Sequence, residues 1–330
     1  MRRPALACGV IGAAALAAVL AMSLIAGLPV LPSYLAAWLL CLGIPLGALA
    51  VLMAFEIAGA ADAALASPLR SMLPALPVLA VLSIPLLLQP GKVFDVGGYP
   101  AFFSIRTVMF LVLWTLLAVI FMRRPLRPRR AAAIVGLAVH VVIGTVAADD
   151  WAQALDPGLA SASFGLALML SQCSAAVAVA VLLAAITARH WVAPSGLAAL
   201  LLVLLGAWVF MEFTQFLIVW SANLPNEVVW YQHRGAGLGL AAEWTAIGAC
   251  AAALLVLLPR HFEIATVSLA FAAGAVLFAH VIEVFWLVTP AFRSRLDVTG
   301  SDVLAFCGLF ALLVGTSLLL GHWTEGRAHG

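Results

Sequence analysis

Apolar residues run along the chain in blocks of about 18–27, separated by short polar stretches. A helix rising 1.5 Å per residue needs roughly 20 of them to cross about 30 Å of hydrocarbon, so each block is long enough for one crossing. The short alternating segments that build a membrane barrel do not appear. The blocks predict ten helices, over 5–28, 34–57, 71–89, 101–122, 131–148, 161–187, 195–222, 236–258, 263–288 and 302–321. The first follows Met1-Arg2-Arg3 and runs from Ala5 to Val30. That is longer than the roughly 7–15-residue core of a secretion signal, so it is read as a retained span.

Composition agrees with this pattern. Apolar types fill 65% of the 330 positions and charged types 9%, against about 25% charged in a soluble domain. So few charges cannot cover a water-exposed surface, and the chain reads as an all-α integral membrane protein, a single polytopic domain over 1–330. The net charge of +2 is small and gathers on no amphipathic face, which argues against nucleic acid as a partner. Cys8, Cys41, Cys173, Cys250 and Cys307 each lie inside an apolar block, without CxxC or Cys/His spacing. They read as small core or lipid-facing residues, and no metal site is expected.

Basic residues give the predicted spans a direction, because they collect on the cytoplasmic side. With a cytoplasmic N-terminus, the inside segments hold Arg2, Arg3, Arg70, Arg123, Arg124, Arg127, Arg129, Arg130, Arg189, Arg260 and Arg327, which is 11 of the 16 Lys and Arg. Lys92, Arg106, Arg234, Arg293 and Arg295 fall outside. Asp95, Asp149, Asp150, Asp156, Glu227, Asp297 and Asp302 also fall in outside segments. The expected setting is a bacterial cytoplasmic membrane with both termini cytoplasmic. The longer loops, 90–102, 149–160, 223–235 and 289–301, lie on the opposite face.

An ionisable side chain at mid-helix costs roughly 2.5–3.5 kcal/mol to insert, so each one asks for a reason. Five stand out: His140, Glu212, Glu243, His280 and Glu283. Counted from the outside helix ends, all lie about 7–15 Å deep, and none lies in the inner half. Glu56 is the one acid within a span on the inner side. His280 and Glu283 are spaced i,i+3, as are Glu212 and Gln215, so each pair shares a helix face. Buried acids and histidines of this kind exchange protons near neutral pH. Against this stands a plain structural role, each group bonding a neighbouring helix. Haem ligation by His140 and His280 falls short of the four-histidine set of a dihaem bundle.

The most distinctive stretch is FMEFTQFLIVWSANLPNEVVWYQHR over 210–234. Its helix is expected to end at Asn223 before Pro225. Trp220, Trp230 and Tyr231 then form an interfacial aromatic belt, with Glu227 and Arg234 as a charge pair. This stretch resembles the FxFxQFLIxWxxNLPEExxWYxxR segment of the quinone-binding-type membrane subunits of alternative complex III, in the NrfD/polysulfide-reductase-like superfamily. In the same order, YPAFFSIR over 99–106 resembles that family's aromatic-then-arginine start of the fourth span. DWAQALDP over 150–157, with Ser161 and Gly165, resembles its DWxxSLDPxWxSTxxG element, and EVFWLVTP over 283–290 its DxxWLVxP helix end. The matches cover 95–292 and point to the second of the complex's two related subunits, the ActF type. Asn226 stands where the family has the first of two glutamates, Gly158-Leu159 where a residue and an aromatic are usual, and Glu283 where it has Asp.

The resemblance implies two similar four-helix bundles, spans 2–5 over 34–148 and spans 6–9 over 161–288, with flanking helices. It further implies a membrane subunit of a respiratory quinol-oxidising complex, with quinone or quinol as the small molecule. The implied partners are a sister NrfD-like subunit, iron–sulfur and haem subunits on the outside, and membrane lipid. The chain's own residues supply no ligand set for a redox centre. Under this reading His140, Asp150, Glu212, Glu243, His280 and Glu283 handle protons. Arg106, Gln215, Asn223, Glu227, Tyr231 and Arg234 line a quinone pocket or organise the loops. The rivals are an anchor subunit without a quinone site, which Asn226 favours, and a stand-alone proton-coupled transporter.

Overall fold

The computed structural model describes residues 2–26, 29–60, 64–94, 98–123, 129–156, 158–187, 196–258, 265–293 and 296–324. Their regular secondary structure is helical, as α1 (Arg2–Ala26), α2 (Leu31–Ile57), α3 (Ala66–Met72), α4 (Ala75–Val81), α5 (Ile84–Leu88), α6 (Pro100–Phe121) and α7 (Arg130–Trp151). There follow α8 (Phe164–Thr187), α9 (Leu197–Ala222), α10 (Pro225–Arg234), α11 (Leu238–Leu257), α12 (Thr266–Val288) and α13 (Gly300–Thr324). Among the described residues ten spans are long and apolar enough to cross a membrane. The protein is an all-α, multi-pass integral membrane protein. Several predicted charges, Asp95, Arg124, Arg127, Arg189, Arg260, Arg295 and Arg327, lie outside the described residues.

The third span, Ala66–Leu88, is a single apolar block but three short helices. Pro74 and Pro85 lack the N–H that a continuous helix needs. At the second break the Ser83 and Leu86 N–H groups bond the carbonyls three residues back, at Ala80 and Ser83, which leaves the Leu79 and Leu82 carbonyls without helix partners. Donors from α2 meet them: Trp38 Nε1 donates to Leu79 O at 2.9 Å and Tyr34 Oη to Leu82 O at 2.6 Å. In hydrocarbon such carbonyls must be met within the protein. The span starts earlier than predicted, so Arg70 is not in an inside loop. It is buried in the last turn of α3, where the helix dipole favours a cation.

Helix α2 is the core element, with 94% of its central window buried, against 11% for the first span. Helices α3–α7 pack on α2, and α9 and α12 pack on α8, with α11 against α12. The two sets meet along a direct α2–α8 contact, while α1 pairs with α13 at the edge. Lipid offers no hydrophobic drive for helices to associate, so close backbone approach has to supply the attraction. Gly47 makes that approach: a Cβ there would overlap the carbonyl of Gln172 on α8.

Helix α7 runs three residues beyond its predicted end, so Asp149 and Asp150 sit in its last turn and not in a loop. Across α13, Arg293 forms a bidentate pair with Asp302 at 2.8 and 3.0 Å and donates to Ser33 Oγ of α2 at 3.0 Å. This clamp ties α13 to α2.

Candidate functional site

Four of the five deep ionisable groups gather in the second half of the chain. A cavity of about 470 Å³ lies among α9, α10, α11 and α12, and Glu212, Glu243 and Glu283 are on its wall. Aromatic rings make up much of the remainder, among them Trp208, Phe213, Tyr231, Trp244 and Trp286. Phe213, Phe216, Trp244 and Ile247 are 42–65% exposed. The cavity therefore opens between α9 and α11 onto the surface that faces lipid in a membrane.

Helix spacing builds this wall. Trp208, Glu212 and Gln215 fall at i, i+4 and i+7 on α9, one face of the helix. Trp208 Nε1 donates to Glu283 Oε1 across the gap at 3.0 Å. The same indole lies within reach of the Glu212 carboxyl, which also feels the charge of Glu283. The i,i+3 pair on α12 is realised: His280 Nδ1 lies 3.1 Å from Glu283 Oε2.

The pair has a third partner: Ser171 Oγ of α8 lies 3.0 Å from the Leu168 carbonyl and 3.2 Å from His280 Nδ1, and its one proton can serve either. With Glu283 ionised, Nδ1 carries the ring proton and donates it to the carboxylate. His280 is fully buried, and among the described residues its Nε2 has no hydrogen-bond partner. The ring stands behind the carboxylate that lines the cavity.

His140 does not join them. It is buried in the first half, on α7, and accepts from Trp114 Nε1 at 3.1 Å through Nδ1. An indole N–H only donates, so Nδ1 is the acceptor and the ring is the Nε2–H tautomer. A second proton on Nδ1 would face the indole N–H, so His140 fits a fixed donor better than a proton acceptor. It lines a separate cavity of about 20 Å³, shared with Gln172 and walled by Trp114 and Trp151.

Asp150 is likewise apart, paired with Arg106 at 2.6 Å between the last turn of α7 and the first half of α6. Beside that pair, Trp151 Nε1 donates to Thr107 Oγ1 at 3.2 Å. Arg106 and Asp150 thus fasten two helices and do not reach the large cavity.

The predicted pairing of Glu227 with Arg234 does not form. The two are seven residues apart, about 10 Å along α10, and the Arg234 side chain turns into the protein, 1% exposed. There Nη1 meets Asp156 at 2.7 Å, Nη2 donates to Leu287 O at 3.1 Å, and the guanidinium stacks 3.7 Å over the Trp230 ring. Burial pulls its pKa below the ordinary value, and the bond and charge of Asp156 pull it back up. Glu227 sits instead in the first turn of α10, which suits an acid.

Asn223 closes α9 in the left-handed conformation, φ 50°, which Asn tolerates better than most residues. Its part is to turn the chain, and Pro225 then starts α10. Tyr231 reaches the cavity from α10. Its Oη accepts from Gln215 Nε2 at 3.5 Å, and Gln215 Oε1 accepts from Ser161 at 2.8 Å. Burial pushes the Tyr231 phenol above its ordinary value of 10.0, with the Gln215 bond opposing.

Sequence reading missed Trp208, Ser171 and Asp156. Trp208 was detectable as an aromatic one turn before Glu212; Ser171 and Asp156 become partners only through tertiary contact. Compared with protein-family models and with curated proteins, the chain matches none.

Proposed function

We propose that this chain is a membrane subunit of a quinol-oxidising respiratory complex of the alternative complex III type, in a bacterial cytoplasmic membrane with both termini cytoplasmic. The observation that carries the proposal is the cavity: apolar and aromatic, open toward lipid, with Glu283 held by Trp208 and His280 on its wall. A quinol dissolves in the bilayer and carries two hydroxyl donors, which suits a wall that offers carboxylate acceptors.

Oxidation of a quinol to a quinone releases two protons and two electrons. Glu283 takes a proton as a general base, with Trp208 and the His280 Nδ1–H holding its oxygens in place. Glu212 stands beside it under the same indole and takes the second. Tyr231, braced by Gln215, closes the cavity toward the outer loops. The two electrons would need an acceptor outside this chain, and an iron–sulfur or haem partner on the outer face, beside a sister membrane subunit, would supply it.

Replacing Glu283 or Glu212 with Gln in the assembled complex tests this. Loss of a general base predicts a fall in quinol turnover of about a hundredfold or more, with the complex intact. Unchanged turnover and proton release would refute it. An anchor subunit gives that second result, together with loss of peripheral subunits when the chain is deleted.

A further inference from the structure

The same cavity has a second chemical character. Among the described residues its wall carries three carboxylates and no Lys, Arg or His. The Arg234 guanidinium stands behind the aromatic layer, 6.0 Å from the Trp286 ring, and is committed to Asp156 and the Leu287 carbonyl. Ring faces bear the negative side of the aromatic quadrupole, and they attract cations most strongly where water is excluded.

We infer that the cavity is a receptor for a lipophilic organic cation, an ammonium or phosphonium with apolar substituents. A small inorganic cation would have to shed its water against carbon and ring faces, whereas a quaternary ammonium is weakly hydrated and loses little. The volume, about 470 Å³, is within the range of about 300–1,000 Å³ of sites for drug-sized molecules. The rim of Phe213, Phe216, Trp244 and Ile247 makes the bilayer the route in, so the rest of the ligand must be apolar. Glu243 lies five residues inside the start of α11, about 7 Å along the helix. That depth favours a free amphiphile over a lipid headgroup.

The groups that face such a ligand are Glu212 on α9, Tyr231 on α10, Glu243 and Cys250 on α11, and Glu283 on α12, with His280 behind it. Cation and proton compete for the same carboxylates, so binding tightens as pH rises.

The test uses the purified full chain in phosphatidylglycerol nanodiscs, which present no ammonium headgroup. Binding of a radiolabelled dodecyltrimethylammonium is compared with that of its uncharged carbon isostere, against empty nanodiscs. One saturable site, at least tenfold tighter for the cation and tighter at higher pH, is expected. Weakening of at least tenfold is expected in the Glu212→Gln/Glu283→Gln double variant. It is also expected in Trp244→Leu, whose ring is 65% exposed and bears little on folding. Equal binding of cation and isostere, or unchanged binding in Trp244→Leu, would overturn the inference. Displacement by added phosphatidylethanolamine would overturn the assignment to a free amphiphile. The inference is independent of the quinol reading. Purified chain without redox partners decides this one, and turnover of the assembled complex decides the other.

Discussion

Glu283 shows how one side chain acquires a role from its neighbours. The His280–Glu283 spacing placed two polar groups on one face of α12, and the structure bonds them at 3.1 Å. What the spacing could not give is the rest of the arrangement. Trp208 comes from α9 and Ser171 from α8, more than 70 residues away in the chain. The same limit explains the misplaced partner of Arg234. Glu227 is near in sequence but Asp156 is near in space, and a buried guanidinium takes the acid that can follow it inside. Asp156→Ala leaves that charge buried without its partner, which costs on the order of 3 kcal/mol. A fall of several degrees in thermal unfolding of the detergent-solubilised protein is expected, and no change would refute the clamp.

Tyr231 gives a prediction in pH. Burial raises its folded pKa above the unfolded value of 10.0, so the fold favours the neutral phenol. Stability is then untouched below pH 10.0 and falls as pH climbs beyond it. Tyr231→Phe should flatten that alkaline loss relative to the wild type, measured by thermal unfolding between about pH 9 and 12.

Span lengths were legible because the bilayer sets them, and nine of the ten predicted blocks correspond to a single long helix. The third did not, since hydropathy does not register what a proline does to a backbone. Pro74 and Pro85 split it, and at the second break the cost is met by Tyr34 and Trp38 from a helix whose proximity no local pattern announces. The α2–α8 contact was equally invisible, resting on the absence of a side chain at Gly47. Gly47→Ala forces a methyl against the backbone of Gln172, which cannot give way as a side-chain tip does. Overpacking of this kind costs about 1–3 kcal/mol, and the measurement is the yield and midpoint of thermal unfolding of the purified variant. Wild-type values would mean that the two helices are not in backbone contact.

For the whole molecule, the predicted set of five deep ionisable groups divides into two places. His140 occupies a small cavity near the α2–α8 contact, and the other four meet around a large one between α9 and α11. Their helices were readable from the apolar blocks; the division follows from which helices pack together. Ion pairs hold the helix ends, Arg106 to Asp150, Arg234 to Asp156 and Arg293 to Asp302. The proposed quinol chemistry rests on that one large cavity, and that is where it is most exposed to test. The direct measurement is photolabelling of the assembled complex with an azido-quinone, followed by mass spectrometry of this chain. The account predicts label on cavity residues such as Phe213 and Trp244, suppressed by excess quinol analogue and reduced in Glu283→Gln. Label confined to a sister subunit, with this chain unmodified, would contradict it.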